Sequence, residues 1–139
     1  MVISADTSFL FSLYGNDANS LAAVAHMQQC SQAITISRMN RFELRNALRF
    51  AEFRQAIKPG EAQFLAAIKQ GRLQLRHCDI SRLENEAERL SAKHTLSGGH
   101  RGFDIIQVAA ARLFQATEFL TFDTNQKKLA AAEGMYTPF

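Results

Sequence analysis

The residues from Phe103 to Asp123 read FDIIQVAAARLFQATEFLTFD, and this stretch decides the fold class. Its first half, Phe103 to Phe114, is apolar almost all round a helical circumference, which predicts a deeply buried helix. Its second half contains a short apolar run, Glu118 to Phe122, which is typical of a buried strand and ends at Asp123. A buried helix followed directly by a buried strand indicates an α/β domain.

The rest of the chain alternates the same two patterns. Short apolar runs predict further strands at Val2 to Ala5, Ala33 to Ser37 and Leu73 to Cys78. Helical spacing of apolar residues predicts helices at Asn19 to Cys30, Met39 to Phe53, Pro59 to Gln70, Ile80 to Lys93 and Thr124 to Ala132. The helix from Met39 carries four apolar residues for the core, Phe42, Leu44, Leu48 and Phe50. Alternating strands and helices predict an α/β fold with a mainly parallel sheet.

Length and composition limit the class of protein. The chain has 139 residues, of which 47% are hydrophobic and 21% charged, which predicts one globular domain spanning 1–139. It has no apolar run of membrane-spanning length and does not begin like a secretory signal, so we expect a cytoplasmic protein. The net charge of +3 favours a polyanionic partner without identifying one.

Cysteines and histidines do not indicate a zinc site. Cys30 and Cys78 lack CxxC spacing and are expected to be buried thiols. His26, His77 and His94 show no ligand spacing with one another or with the cysteines. A zinc nuclease is therefore disfavoured.

Acidic residues follow the predicted strands. Asp6 ends the first strand and Asp123 ends the strand at Glu118 to Phe122. Ligands of open α/β sheets bind outside the carboxyl ends of the strands, so both are site candidates. Asp104 opens the buried helix after a glycine-rich loop and is expected to point into the same crevice.

Glu43 is a fourth candidate, because helical arithmetic places it on a face with Met39, Asn46 and Phe50. A carboxylate on an apolar face needs a partner, which Asn46 or Arg54 could supply. Four converging carboxylates repel one another unless hard divalent cations that prefer oxygen ligands neutralise them. We therefore expect Mg²⁺ or Mn²⁺, in a site suited to phosphodiester hydrolysis.

Each acid also has a purely structural interpretation. Asp104 and Asp123 have a glutamine three residues later, as in a variant capping box, and Asp6 could cap a first helix. Capping explains single residues, but it does not explain why the topology brings all four acids together.

Four short segments resemble the PIN-domain family, in particular toxin nucleases of the VapC type. These segments are Asp6 to Leu10, Arg41 to Leu48, Phe103 to Ala111 and Phe119 to Asp123, and they occur in the family's order. The resemblance implies a three-layer α/β/α sandwich and Mg²⁺- or Mn²⁺-dependent RNA cleavage, with the four acids as catalytic metal ligands. It also implies a homodimer and an antitoxin partner.

Several other residues are expected to support this site. Thr7, Asn46 and Thr121 lie beside the acids in sequence, and the loop residues His100 and Arg101 could contact an RNA phosphate. The stripe of Arg38, Arg41, Arg45 and Arg49 is interpreted as a solvated face, or as an antitoxin or dimer surface. Most of the 11 phenylalanines are assigned to the core.

Three other functions remain open. A PIN nuclease that processes RNA without an antitoxin would have the same sequence features. A receiver-like signalling module also gathers acids around magnesium at strand ends, but here Thr7 and Ser8 follow Asp6 where a paired acid is usual. A pure interaction protein would use its acids as caps and bind no metal.

Overall fold

The computed structural model describes residues 1–54 and 60–139. Within these residues there are four strands and seven helices. The strands are β1 (Ile3–Ala5), β2 (Ile34–Ser37), β3 (Leu73–Arg76) and β4 (Glu118–Leu120). The helices are α1 (Thr7–Tyr14), α2 (Ser20–Gln29), α3 (Arg38–Phe53), α4 (Gly60–Lys69), α5 (Ile80–Gly98), α6 (Gly102–Leu113) and α7 (Thr124–Ala132). The α/β class is confirmed.

The four strands form one parallel sheet in the order β3-β2-β1-β4. In the register, Ile3 of β1 stands between Ile34 of β2 and Glu118 of β4. Parallel neighbours require crossover connections, which the helices supply. The carboxyl ends of all the strands consequently lie along one edge.

Two hydrophobic clusters lie on the two faces of this sheet. One is built with residues of α1, α2, α3 and α4, and the other with residues of α5, α6 and α7. Consecutive β4 residues, Phe119 and Leu120, fall in opposite clusters, as strand alternation requires. The result is the predicted three-layer α/β/α sandwich. Among the described residues, none of the helices has the length and apolar character of a membrane span.

The buried face of α3 differs from the prediction. Asn40, Leu44 and Leu48 are buried, whereas Phe42 is 68% and Phe50 55% exposed. Phe42 lies roughly 200° around the helix from Leu44, so the two cannot face the same layer. The assignment of both phenylalanines to the core was wrong.

Several element ends also differ. Helix α5 continues to Gly98 and ends at Gly99, whose φ of 64° is the left-handed conformation that glycine tolerates. Ser97 and Gly98, which belong to the glycine-rich stretch that was expected to be a loop before Asp104, are therefore helical. Strand β4 ends at Leu120 and β3 at Arg76, each two residues earlier than predicted.

Two further predictions concern the start of α4 and the two cysteines. The predicted start of α4 at Pro59 lies outside the described residues. Cys30 and Cys78 are both partly exposed, so the expectation of buried thiols was wrong.

Candidate active site

Two aspartates lie at the carboxyl edge of the sheet. Asp6 directly follows β1, and its backbone N–H donates to the Leu120 carbonyl of β4 at 3.1 Å. Asp6 Oδ1 accepts a hydrogen bond from Phe9 N at 2.8 Å, and Asp123 Oδ1 accepts one from Gln126 N at 2.7 Å. The capping interpretation is thus confirmed for both residues. A cap bond leaves lone pairs on the carboxylate, so it does not exclude a second role.

Asp6 is almost fully buried, with 1% of its surface exposed. The Ser8 hydroxyl lies 2.8 Å from both carboxylate oxygens, and Thr121 Oγ1 donates to Oδ2 at 2.5 Å. Burial raises the pKa of Asp6 to about 6, while hydrogen bonds from Thr121, the Phe9 amide and Ser8 oppose the shift, and the negative charge of Asp123 adds to it. Without a cation, this site holds Asp6 partly protonated near neutral pH.

Glu43 reaches the site from α3. Gln107 Nε2 on α6 donates to Glu43 Oε2 at 2.9 Å. Burial raises the pKa of Glu43, the Thr7 hydroxyl and the Gln107 amide oppose the shift, and the charge of Asp104 adds to it. Thr7 Oγ1 is buried and forms no well-directed hydrogen bond with any described residue. Its contact with Glu43 is therefore loose.

Asp104 lies in the first turn of α6 and does not cap it. The residue at the cap position is Arg101, and no side chain in the described chain caps this helix. The capping interpretation of Asp104 was therefore wrong. Arg101 Nε lies 3.5 Å from Asp104 Oδ2, and the positive end of the α6 dipole also favours the carboxylate.

All four acids line one open cleft with a volume of about 340 Å³. Among the described residues that line it, Arg101 is the one cation and Asp17 is a fifth acid. The cleft is therefore negatively charged. Its polar donors and acceptors are carboxylates, hydroxyls, amides and one guanidinium, with no thiol or imidazole among the described lining residues.

Sequence reasoning missed two buried glutamines of the site. Gln107 is 4% and Gln126 3% exposed. Gln126 Nε2 donates to the Asp104 carbonyl at 3.1 Å, while Gln107 is the partner of Glu43 that had been sought in Asn46 or Arg54. Their sequence signal was the spacing, because each follows a site aspartate by three residues.

Two of the proposed supporting residues lie elsewhere. Asn46 is exposed on α3 and is not among the residues that line the cleft. The His100 ring packs against Gly98, with its centroid 6.4 Å from that of His94, and it also does not line the cleft. Thr7, Thr121 and Arg101 do surround the acids.

The donor groups of the cleft suit a hydrated divalent cation better than a closely coordinated one. Among the residues that the structure describes, no three or more His, Cys, Asp or Glu side chains are grouped so that they alone could hold a metal ion. The carboxylates instead interact as two pairs, Asp6 with Asp123 and Glu43 with Asp104. Mg²⁺ keeps several waters and is commonly held by one or two carboxylates, so this oxygen-rich, negative donor set fits a hydrated ion.

The comparisons with known proteins agree with this architecture. A family model described as "PIN domain" matches residues 3–132. The fold is similar to that of VapC20 from Mycobacterium tuberculosis, described as a toxin that cleaves the sarcin-ricin loop, with a TM-score of 0.72, 20% identity and 96% of each chain covered. It is also similar to a chain of a toxin-antitoxin complex from Klebsiella pneumoniae, with a TM-score of 0.70, 17% identity, and coverage of 100% of this chain and 98% of that one. No curated protein has a significantly similar sequence.

Proposed function

The chain belongs to the PIN-domain family, and on that basis we propose that it is an Mg²⁺- or Mn²⁺-dependent endoribonuclease, consisting of one nuclease domain over 1–139. The observation that carries the proposal is the cleft itself, which is lined by four acids from four separate segments. Family membership disfavours the receiver-like alternative.

The four acids are the proposed ligands. Asp6, Glu43, Asp104 and Asp123 would hold the cation through direct and water-mediated contacts. When bound, a divalent cation lowers the pKa of a coordinated water and stabilises the charge of the phosphate in the transition state. Its positive charge would also compensate for the cost of burying the two carboxylates and for the repulsion between them and their acidic neighbours, the effects that raise the pKa values of Asp6 and Glu43.

The chain's own groups orient these acids and bind the substrate. Thr121 and Ser8 fix the rotamer of Asp6 by donating to its two oxygens. Gln126 fixes the backbone at Asp104. Arg101, with 84% of its side chain exposed at the cleft, can exchange its 3.5 Å contact with Asp104 for a phosphate oxygen of RNA.

The activity test is cleavage of a fluorescent single-stranded RNA by the purified protein with Mg²⁺, Mn²⁺ or EDTA. We expect cleavage with either metal and none in EDTA, since the described cleft offers no thiol or imidazole nucleophile. Glu43→Gln serves as the matched inactive control, because it removes one charge and keeps the side-chain shape. Undiminished cleavage in EDTA would rule out the metal mechanism.

The biological role that we propose is that of a cytoplasmic toxin restrained by an antitoxin. Support comes from the two similar structures, one described as a toxin and the other as a toxin-antitoxin complex. An RNA-processing nuclease without an antitoxin is the alternative. Growth arrest on induction, reversed by co-expression of a small adjacent reading frame, distinguishes the two, because a processing nuclease needs no such partner.

The proposed homodimer would use α3 and α5. An apolar groove lined by Met39, Ile80, Leu83 and Ile106 is open at the surface, and Phe42 lies exposed one turn beyond Met39. Exposed apolar surface in and beside such a groove favours contact with another protein chain.

A further inference from the structure

We propose that Gln107 is a positioning residue that fixes the Glu43 carboxylate for divalent-cation binding, a role that rests on the function proposed above. Gln107 lies on α6, Glu43 on α3 and Thr7 at the start of α1. One buried side chain therefore joins three of the helices that line the cleft.

The hydrogen bonds of Gln107 define the orientation of its amide. Its Oε1 accepts from the Thr7 backbone N–H at 2.9 Å, and its Nε2 donates to Glu43 Oε2 at 2.9 Å. A backbone N–H can only donate, so the carbonyl oxygen must face Thr7 and the NH₂ group must face Glu43. The amide cannot flip without losing both bonds.

The residue type suits this task. A glutamine bond uses one lone pair of Glu43 Oε2 and leaves Oε1 available to a cation. It adds no positive charge, whereas a lysine or arginine at this place would compete with the cation for Glu43. The bond to Thr7 also ties Glu43 to the residue that follows Asp6, so the two acids keep a fixed relation.

The main test is the manganese concentration that gives half-maximal thermal stabilisation of Gln107→Met, a variant of similar length without the amide. Loss of a partner that orients a metal ligand typically weakens affinity by 10 to 100 times. We expect the half-maximal concentration to rise about tenfold or more. Ser4→Ala is the matched control, because Ser4 is 2% exposed and donates to the Thr35 carbonyl away from the cleft. It should lower the melting temperature without changing the manganese concentration.

A double-mutant cycle separates positioning from a general structural effect. If Gln107 acts through Glu43, adding Gln107→Met to Glu43→Ala should change the manganese concentration by less than about twofold. Independent effects that multiply in the double variant would show that Gln107 supports the fold alone, and would overturn the proposal.

A second variant covers the case in which Gln107→Met does not fold. Gln107→Glu keeps an acceptor for Thr7 N but turns an oxygen toward Glu43, so kcat for RNA cleavage at saturating manganese should fall about tenfold or more. An unchanged kcat overturns the positioning role. If the wild type neither binds manganese nor cleaves RNA, the proposed function fails and this inference fails with it. Normal wild-type behaviour with an equally active Gln107→Met rejects the positioning role alone.

Discussion

At the scale of single residues, Asp6 combines a structural and a chemical task. Its carboxylate caps the start of α1 and accepts hydrogen bonds from Ser8, Thr121 and the Phe9 amide, yet burial raises its pKa to about 6. These donors fix the side chain but do not fully compensate its charge. Such incomplete compensation in a negatively charged cleft is what a cation site requires.

The first prediction is a pH dependence of the metal-free protein. Asp6 has a pKa of about 6 in the folded chain, against the ordinary aspartate value of 3.8, so between these values the folded state binds more protons than the unfolded state. Its contribution to stability is therefore present below pH 4 and lost as the pH rises through 6, by about 2 to 3 kcal/mol. Thermal melts in EDTA across this range should show the fall.

Asp6→Asn provides the control for this prediction, since asparagine also caps helices. Its melting temperature in EDTA should vary less between pH 4 and pH 7 than that of the wild type. The same slope in both proteins would assign the pH dependence to other groups.

The second prediction concerns Asp104→Asn. RNA cleavage should fall by at least about 100 times, because one of the four ligands loses its charge. Stability in EDTA should change by less than about 1 kcal/mol, because relief of repulsion from Glu43 is offset by the lost Arg101 contact and helix-dipole interaction. Asp79→Asn is the matched control, an aspartate at the start of α5 that is absent from the cleft lining. Equal cleavage by both variants would contradict the assignment of Asp104.

At the scale of elements, local signals determined how well the sequence predicted the structure. Helix α7 was predicted with its observed bounds, because Asp123 caps its start and Gly134, with a φ of 85°, follows its end. The position of Asp6 at the end of β1 was predictable from the apolar run before it, whereas Asp123 lies three residues beyond the end of β4. Gln107 and Glu43 are 64 residues apart in the sequence, and no local sequence pattern can predict a contact over that separation.

In the layer formed by α5, α6 and α7, a cluster of ion pairs joins the end of α7 to α5, and the third prediction concerns this cluster. The Glu133 side chain, 3% exposed at the end of α7, contacts Arg89, Lys93 and His94 of α5 at 2.6, 3.3 and 2.7 Å. Burial alone would raise the pKa of Glu133, but these partners hold it down at about 2. Glu133→Gln should lower the free energy of unfolding at pH 7 by about 2 kcal/mol, a figure reduced for the exposure of the cations.

The pH dependence gives a further check on Glu133. A carboxylate with a depressed pKa contributes stability above the ordinary glutamate value of 4.5, and this stability is lost as the pH falls toward 2, so wild type and variant should converge in acid. Urea unfolding at several pH values measures this. Glu52→Gln, at an exposed position on α3 that lines neither the cleft nor the groove, is the control and should behave as wild type. RNA cleavage should be unaffected, since Glu133 does not line the cleft; a variant that unfolds like wild type at pH 7 would contradict the prediction.

At the scale of the whole molecule, the two proposed tasks, catalysis and dimerisation, belong to two different surfaces of the fold. The carboxyl edge of the sheet carries the acidic cleft, while α3 and α5 expose apolar groups at their shared groove. Two glutamates of α5, Glu84 and Glu88, line that groove, and Arg38 at the start of α3 precedes the groove residue Met39 in the sequence. In a symmetric pair, each chain could place its α3 against the partner's α5, so that apolar contacts lie between pairs of opposite charges.

The last prediction tests this dimer. Phe42, 68% exposed, is the apolar side chain best placed to enter a partner's groove, and Phe42→Asp would bring an unpaired charge into the interface. We expect the wild type to have the mass of two chains by light scattering and Phe42→Asp that of one. Leu21→Asp is the control, because Leu21 on α2 is 88% exposed but lies outside the groove, so it should leave the mass unchanged. A monomeric wild type would reject the dimer, whereas a dimeric Phe42→Asp would move the interface to another surface. Because the four acids of the cleft all come from one chain, the monomeric variant should still cleave RNA, which separates assembly from catalysis.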